Sequence, residues 1–543
     1  MKKLILGFAF LFVAIPCQAR IITVDDDIHF PPFGWYMNIQ AAVYVSVNGD
    51  VIEVWPGRYT GDGNRDIDFM GKAIAVRSTD PNNPDVVAAT VIDGEIDRHT
   101  CFNCMGCARH RGFKFHNAEG PNSVLAGFTI INFCAPDKLV WDQMMPVGGG
   151  ILCEGSNPTI RQCIITDNTA SIMSKEGFGG GIYCDESSNP TITSCTISDN
   201  DSDFGAGGIV CTHATISDCT ITSNFASFGV GGISCEIAVI SCCTISNNYS
   251  LMAPGGIGAG SGSIISDCNI RNNAGCNGGG IEGSPAIIRC VITGNSVVCG
   301  PGGGIFCTGN ATITNCVIAS NSAPSGKLFG EWVDGVGGGI YCGNNTTTIT
   351  KCTITANTAG ANGGGIYGSP TITNSIVWGN NCPNEPQIAG VPNISYSDIQ
   401  GGFASLGIIN IDPLFANAAN GDYHLQSEAG RWDPNSQTWV TDANTSLCID
   451  AGNPGCPVGD EPAPNGNQIN MGAYGGTAEA SNSPENWRSI ADLTNDWAVD
   501  FNNLKVFVNY WLDTGQCIPG DLNRNQSVDF TDFAIFADNW LWP

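Results

Sequence analysis

Thr191-Ile192-Thr193-Ser194-Cys195-Thr196-Ile197-Ser198-Asp199-Asn200 decides the fold, because the chain repeats it. The next copy is Thr215-Ile216-Ser217-Asp218-Cys219-Thr220-Ile221-Thr222-Ser223-Asn224. Aligned on cysteine, the units centre on Cys163, Cys195, Cys219, Cys243, Cys268, Cys290, Cys316 and Cys352, with Ser375 in the ninth place. Three residues before each stands an isoleucine, two after an Ile or Val, and five after an asparagine, from Asn168 to Asn380. Units lie 22 to 36 residues apart, yet the Ile-x-x-Cys-x-Ile-x-x-Asn block never changes. A constant block with variable spacers is one rung of a solenoid with loops of different length.

Period 2 and β-branched residues make the block a half-buried strand, with Cys and the following Ile on the inner face and Thr196, Thr220, Thr244 and Thr353 outside. Asn tolerates left-handed backbone, so the bend is expected on the Asn itself, with the amides of successive rungs stacked into a ladder. Gly-Gly-Gly-Ile, or a variant, at Gly148, Gly179, Ala206, Val230, Pro254, Gly278, Gly302, Gly337 and Gly363 opens the strand after each bend. Such glycine-rich, β-branched repeats do not sustain helix, and propeller blades take about 40 to 50 residues. A coil of parallel strands is the reading that remains.

Composition agrees. The 543 residues include 70 Gly and 26 Cys, and 22 Lys and Arg face 50 Asp and Glu for a net charge of -28. That excludes nucleic acid as a natural partner and suits cations or a neutral or basic glycan. Cysteines stacked at a strand spacing of about 4.8 Å do not match the ~3.8 Å Cβ separation of a relaxed disulfide. The repeat cysteines are therefore expected as a ladder of buried thiols, and Cys448 with Cys456, outside it, as a disulfide pair. Lys2 and Lys3, an apolar run over 4–15 and Cys17-Gln18-Ala19 form a secretory signal at 1–19, which places the chain outside the cell or on its surface. No later run reaches the roughly 18 apolar residues of a membrane span.

Residues 20–132 read as a cap and first coils, and 133–411 as the repeats. Thr23-Val24-Asp25-Asp26-Asp27, Gly57-Arg58-Tyr59, Arg111-Gly112-Phe113 and Gly127-Phe128-Thr129-Ile130, followed by the Gly-Gly-Gly-Ile repeats, resemble the pectate-lyase-like superfamily, and most of all its large exported planctomycete members. The resemblance covers roughly 21–480 and implies an all-β, right-handed parallel β-helix solenoid; it is specific for fold and poor for activity. Cys101, Cys104 and Cys107, with His110 close behind, have metal-ligand spacing or make a local disulfide with one spare thiol.

Residues 412–484 contain Asp412-Pro413-Leu414-Phe415 and Met471-Gly472-Ala473-Tyr474-Gly475 and resemble the module that closes the open end of such solenoids, with a linker at 479–486. In 485–543, Asp521, Asn523, Asn525, Ser527, Asp529 and Asp532 fill positions 1, 3, 5, 7, 9 and 12 of an EF-hand-type loop. Offset by 29 residues lies a second loop with Asp492, Thr494, Asp496, Asp500 and Asn503. Each leads into an amphipathic helix. The pair resembles a type I dockerin, small and α-helical, which implies two Ca²⁺ sites and a cohesin-like partner. It departs at position 6, where Gln526 and Trp497 replace Gly, and at Asn503, which is no bidentate carboxylate.

Catalytic groups are sparse: between 148 and 400 the basic residues are Arg161, Lys175, Arg271, Arg289, Lys327 and Lys351, none close to another in sequence. Three long spacers, 133–147, 169–178 and 322–336, carry the unusual side chains Trp141, Lys138, Asp142, Lys175, Trp332 and Asp334; of these Trp141, Lys175, Trp332 and Asp334 are the candidate ligand contacts. Glu154, Asp185 and Glu236 share a register after the Gly-Gly-Gly-Ile strands and read as solvated surface. The expectation is an exported protein that binds polysaccharide or a cell-surface glycan and is anchored or assembled by a Ca²⁺-dependent tail. The alternative is a polysaccharide lyase or glycoside hydrolase carried by the same tail.

Overall fold

The computed structural model describes residues 19–27, 32–96, 100–101, 108–140, 143–171, 176–298, 300–343 and 346–542. The signal segment, Cys104, Cys107, Trp141, Asp142 and Lys175 lie outside the described residues.

A rung contributes three short strands, as in Ile182–Cys184, Thr191–Thr193 and Thr196–Ser198, and seven rungs add a two-residue strand such as Asp201–Ser202 that builds a further column. They pair in parallel with the same positions one rung on: Ile182 with Ile209, Ile192 with Ile216, Ile197 with Ile221. The column built on the second half of the repeat alone holds 13 strands, from Gly57–Tyr59 to Asp398–Ile399, so the coil extends past the nine repeats at both ends. Where no turn separates the first two columns, they merge into the nine-residue strands Ile209–Ser217 and Ile233–Ser241. A continuous core of repeat isoleucines and cysteines fills the interior.

The bend differs from the expectation in one respect. Left-handed backbone sits not on the ladder Asn but on the residue before it, as at Asp199 (φ 54), Ser223 (φ 58) and Asn247 (φ 56), and a second such corner precedes each Cys, as at Ser194 (φ 53) and Asp218 (φ 54). The cysteine therefore occupies a corner between two sheets rather than the middle of one strand. The ladder itself forms. Asn200 Nδ2 donates to Asn224 Oδ1 at 3.0 Å and to Ile165 O at 2.9 Å, and its neighbours repeat the pattern until Asn380 donates to Gln387 Oε1 at 2.8 Å. Every amide is buried and paired, which matters because an orphaned buried polar group costs about 1–3 kcal/mol. The triple glycine is explained by the same ladder: a Cβ on Gly181 would lie 2.7 Å from Gly208 O and 3.1 Å from Asn200 Nδ2.

The repeat cysteines are free and buried, as expected. Their thiols donate to nearby carbonyls, Cys219 Sγ to Ser217 O at 3.1 Å, and accept from the previous rung, Cys195 N to Cys219 Sγ at 3.4 Å. A second column of free, buried thiols follows the glycine strands at Cys153, Cys184, Cys211, Cys235, Cys307 and Cys342. Burial pushes the Cys211 and Cys316 thiols far above their ordinary value, so both stay protonated.

At the amino end the helix Ile39–Val45, capped by Asn38, buries Ile39, Ala42 and Val43 against the first strands. At the other end, residues 412–484 cover the flank of the coil as well as its end. Asn315 Nδ2 donates to Ala473 O at 2.9 Å, and Tyr423 and Ala473 pack on the outward Val317 and Ala319. The segment expected as a linker is packed instead: Ser481 Oγ donates to Leu425 O and Ser483 Oγ to Asp450 Oδ1. Two disulfides also depart from expectation. Cys456 pairs with Cys517 of the tail, leaving Cys448 a free thiol bonded to Asp398 Oδ2, and Cys101 pairs with Cys134. His110 Nδ1 lies 2.6 Å from Asp66 Oδ2 and His116 Nε2 lies 3.0 Å from Asp68 Oδ2, while Cys104 and Cys107 lie outside the described residues.

Candidate functional site: an outer-face cleft and a duplicated loop

Along the outer face of the glycine-strand column, the side chains that succeed one another are Leu152, Tyr183, Val210, Ser234 and Gly258. Their falling size leaves a hollow beside Tyr183. The spacer at 133–147 walls it: Asp137–Val140 and Gln143–Pro146 pair as an antiparallel hairpin whose Val140 and Met145 pack on Leu152 and Tyr183. The result is a cleft of about 420 Å³ lined by Lys138, Val140, Tyr183, Val210 and Ser234, with Glu154, Asp185, Glu186 and Glu236 at its rim.

Lys138 Nζ lies 3.2 Å from Glu154 Oε1 and 5.8 Å from the Tyr183 ring centre, so the hairpin is tied down by charge as well as by apolar contact. Burial works to raise the Asp185 carboxyl, but donation from Ser188 Oγ, Gly155 N and Ser187 outweighs it and holds the group below its usual range. Asp185 is thus a fixed anion. The row read from sequence as solvated surface is the edge of a cleft, and the missing signal was the hairpin, whose covering role no local pattern encodes.

Trp332 and Asp334 sit in a second hairpin, Gly326–Leu328 with Glu331–Val333. Trp332 is exposed and its Nε1 donates to Asp334 Oδ1 at 3.0 Å. Seven rungs separate the two hairpins, from Ile151–Cys153 to Ile340–Cys342, roughly 34 Å at the strand spacing. They do not form one site.

The tail places its two acidic loops before the helices Phe501–Asn509 and Phe530–Asp538, around a shared core of Leu493, Val499, Phe507, Leu522, Val528 and Phe536. Both loops fold alike. Asp492 accepts from Asp496 N and Trp497 N, and Asp521 from Asn525 N and Gln526 N. Position 6 is left-handed in each, Trp497 at φ 68 and Gln526 at φ 72, so the turn that favours Gly is made without it. In the second loop, Asp532 takes Asn523 N on one oxygen and Asp529 N on the other. In the first, Asn503 Nδ2 donates to Ala498 O, occupying the position-7 carbonyl.

Among the described residues no three His, Cys, Asp or Glu side chains converge as a metal group. The donors of the second loop, buried Asp521 and Asp532 with Asn523, Asn525, the Ser527 carbonyl and Asp529, are nevertheless all hard oxygens of the kind Ca²⁺ takes. The first loop fits less well, because burial raises the Asp492 carboxyl and Asn503 brings a donor where a carboxylate belongs.

The tail is held against the end of the coil and the preceding module. Tyr396 Oη donates to Leu493 O at 3.1 Å, Asn495 Nδ2 to Gly407 O and Ala451 O, and Arg524 Nε to Pro454 O. Arg488 lies 4.1 Å over the Trp497 ring.

The fold with its sheet topology defines the chain as a right-handed parallel β-helix. Residues 146–253 and 180–337 match the family described as right handed beta helix region, and residues 290–452 match one described as disaggregatase related. The latter match runs from the last rungs into the flanking module. Among solved structures, pectate lyase Pel9A is similar at 13% identity and a TM-score of 0.35, over 84% of this chain and 96% of that one. XylC in complex with xylose is similar at 10% identity and a TM-score of 0.40, over 74% and 87%. At such scores neither likeness bears on activity or substrate. No curated protein sequence matches the chain. Among the described residues no helix is long and apolar enough to cross a membrane.

Proposed function

We propose that this is an exported β-helix protein that binds polysaccharide or a cell-surface glycan, and that its C-terminal module binds Ca²⁺ and serves assembly or anchoring. The observation that carries the first part is the cleft: a hollow of about 420 Å³ on the sheet, walled by a hairpin and lined by the Phe178 and Tyr183 rings with apolar and polar groups around them. Export rests on the sequence at 1–19, calcium on the donor set of the second loop, and a cohesin-like partner on the dockerin resemblance alone. Bound Ca²⁺ would supply a charge that draws Asp521 and Asp532 together and fixes the entry to the last helix.

The test incubates the mature chain with uronic-acid, neutral and amino-sugar polysaccharides in the presence of calcium, measuring retention and new reducing or unsaturated ends. Retention without cleavage is the expected result. Cleavage would replace the binding reading with that of a lyase or hydrolase, and no retention on any polysaccharide would overturn both.

A further inference from the structure

Resting on the glycan-binding reading of the cleft, we infer that its ligand is a cationic glycan, a β-linked polymer of amino sugars with free ammonium groups. Two observations independent of each other point there. One is charge: among the described residues that line the cleft, Glu154, Asp185, Glu186 and Glu236 face a single cation, Lys138, which is already paired with Glu154. A polyuronate would bring like charge into a cleft already negative, and an uncharged sugar would leave the carboxylates without a counter-charge.

The other is geometry. Glu154 and Asp185 each follow the same residue of successive rungs, Cys153 paired with Cys184, and Glu236 follows Cys235 two rungs further on. Parallel strands repeat at about 4.8 Å, and an extended β-linked glycan advances by about one sugar per rung. Successive sugars of an extended β-1,4 chain are turned over, so a chain laid across the rungs presents ammonium groups on one side every second sugar, which matches the two-rung separation of Asp185 and Glu236, while its rings pass the edge of the cleft beside Tyr183. The hollow of Val210 and Ser234 gives the sugar ring its place. A row of carboxylates without that hollow would hold only counter-ions.

Glu186 and Glu236 are exposed, unlike Asp185, whose turn depends on its hydrogen bonds, so they are the groups to change. The full mature chain is titrated calorimetrically, in mildly acidic buffer, with β-1,4-glucosamine hexamer, its N-acetylated form, galacturonate hexamer and hexalysine. The glucosamine hexamer is expected to bind at least about tenfold more tightly than each of the others. The double variant Glu186→Gln, Glu236→Gln should lose roughly tenfold for that ligand, clearly more than it loses for the N-acetylated form, while its melting temperature stays unchanged.

Equal binding of the two glucosamine forms, preference for galacturonate, or no loss in the double variant would overturn the inference and leave the glycan reading standing. Hexalysine bound as tightly as the glucosamine hexamer would overturn it too, since charge without sugar would then suffice. Binding of no oligosaccharide at all would overturn both.

Discussion

The repeat coil and the C-terminal third hold themselves together in different ways. In the coil, the side chains of the repeat block meet their own kind one rung away: Ile on Ile, thiol on thiol, Asn amide on Asn amide. From residue 412 onward, contacts join unlike groups far apart in sequence, such as Arg524 with Pro454 or Asn315 with Ala473. Repetition makes stability local and additive along the coil, whereas the C-terminal part is a network in which one group answers to several others.

The sharpest way to break the coil is to hollow a rung. Ile245→Ala removes a fully buried side chain and should cost about 2–5 kcal/mol, read as hydrogen exchange that rises in the neighbouring rungs and not in 412–542. Next is the ladder: Asn248→Ala leaves Asn224 N and Nδ2 without their acceptor and should cost ~2–3 kcal/mol in the same region.

The C-terminal network, with the last rung it packs on, should respond to pH more than the rest of the coil. Burial raises the carboxyls of Asp450 and Asp398 to about 7 and that of Glu461 to about 8. Because these folded values lie above the ordinary values of 3.8 and 4.5, their contribution is complete below about pH 4 and is lost as pH rises through 7 to 8. Protease resistance of 412–484 should fall between pH 5 and 9, by ~2 kcal/mol of local stability, and Glu461→Gln should flatten the profile. An unchanged profile would remove burial as the controlling effect.

A smaller effect separates the two loops. Asp532→Asn should weaken calcium binding by the full chain about tenfold, and Asn503→Asp should strengthen it, measured by titration calorimetry. Equal effects of the two changes on the two loops would contradict their ranking.

The same contrast explains what was legible. The inner register could be read because identical side chains recur around Cys195 at fixed spacing. The second thiol column escaped notice because turns of varying length separate it from the first: Cys184 precedes Cys195 by 11 residues, but Cys211 precedes Cys219 by 8. The left-handed corners were misplaced by one residue, since Asp, Ser, Cys and Arg fill them as readily as Asn does. Acidic residues at one register were visible, but their enclosure depends on Val140 and Met145 reaching Leu152 and Tyr183, a contact no periodicity announces. Both disulfides among the described residues join unrelated segments, so spacing gave no access to them.

The central claim is that the coil is scaffold and the hairpin-walled cleft holds the ligand. Replacing 137–146 with a short Gly-Ser turn tests it most directly, with retention of the chain on amino-sugar polysaccharide and its melting curve measured together. The account predicts that retention falls at least about tenfold while the coil's unfolding transition is preserved. Undiminished retention with that transition intact would contradict it.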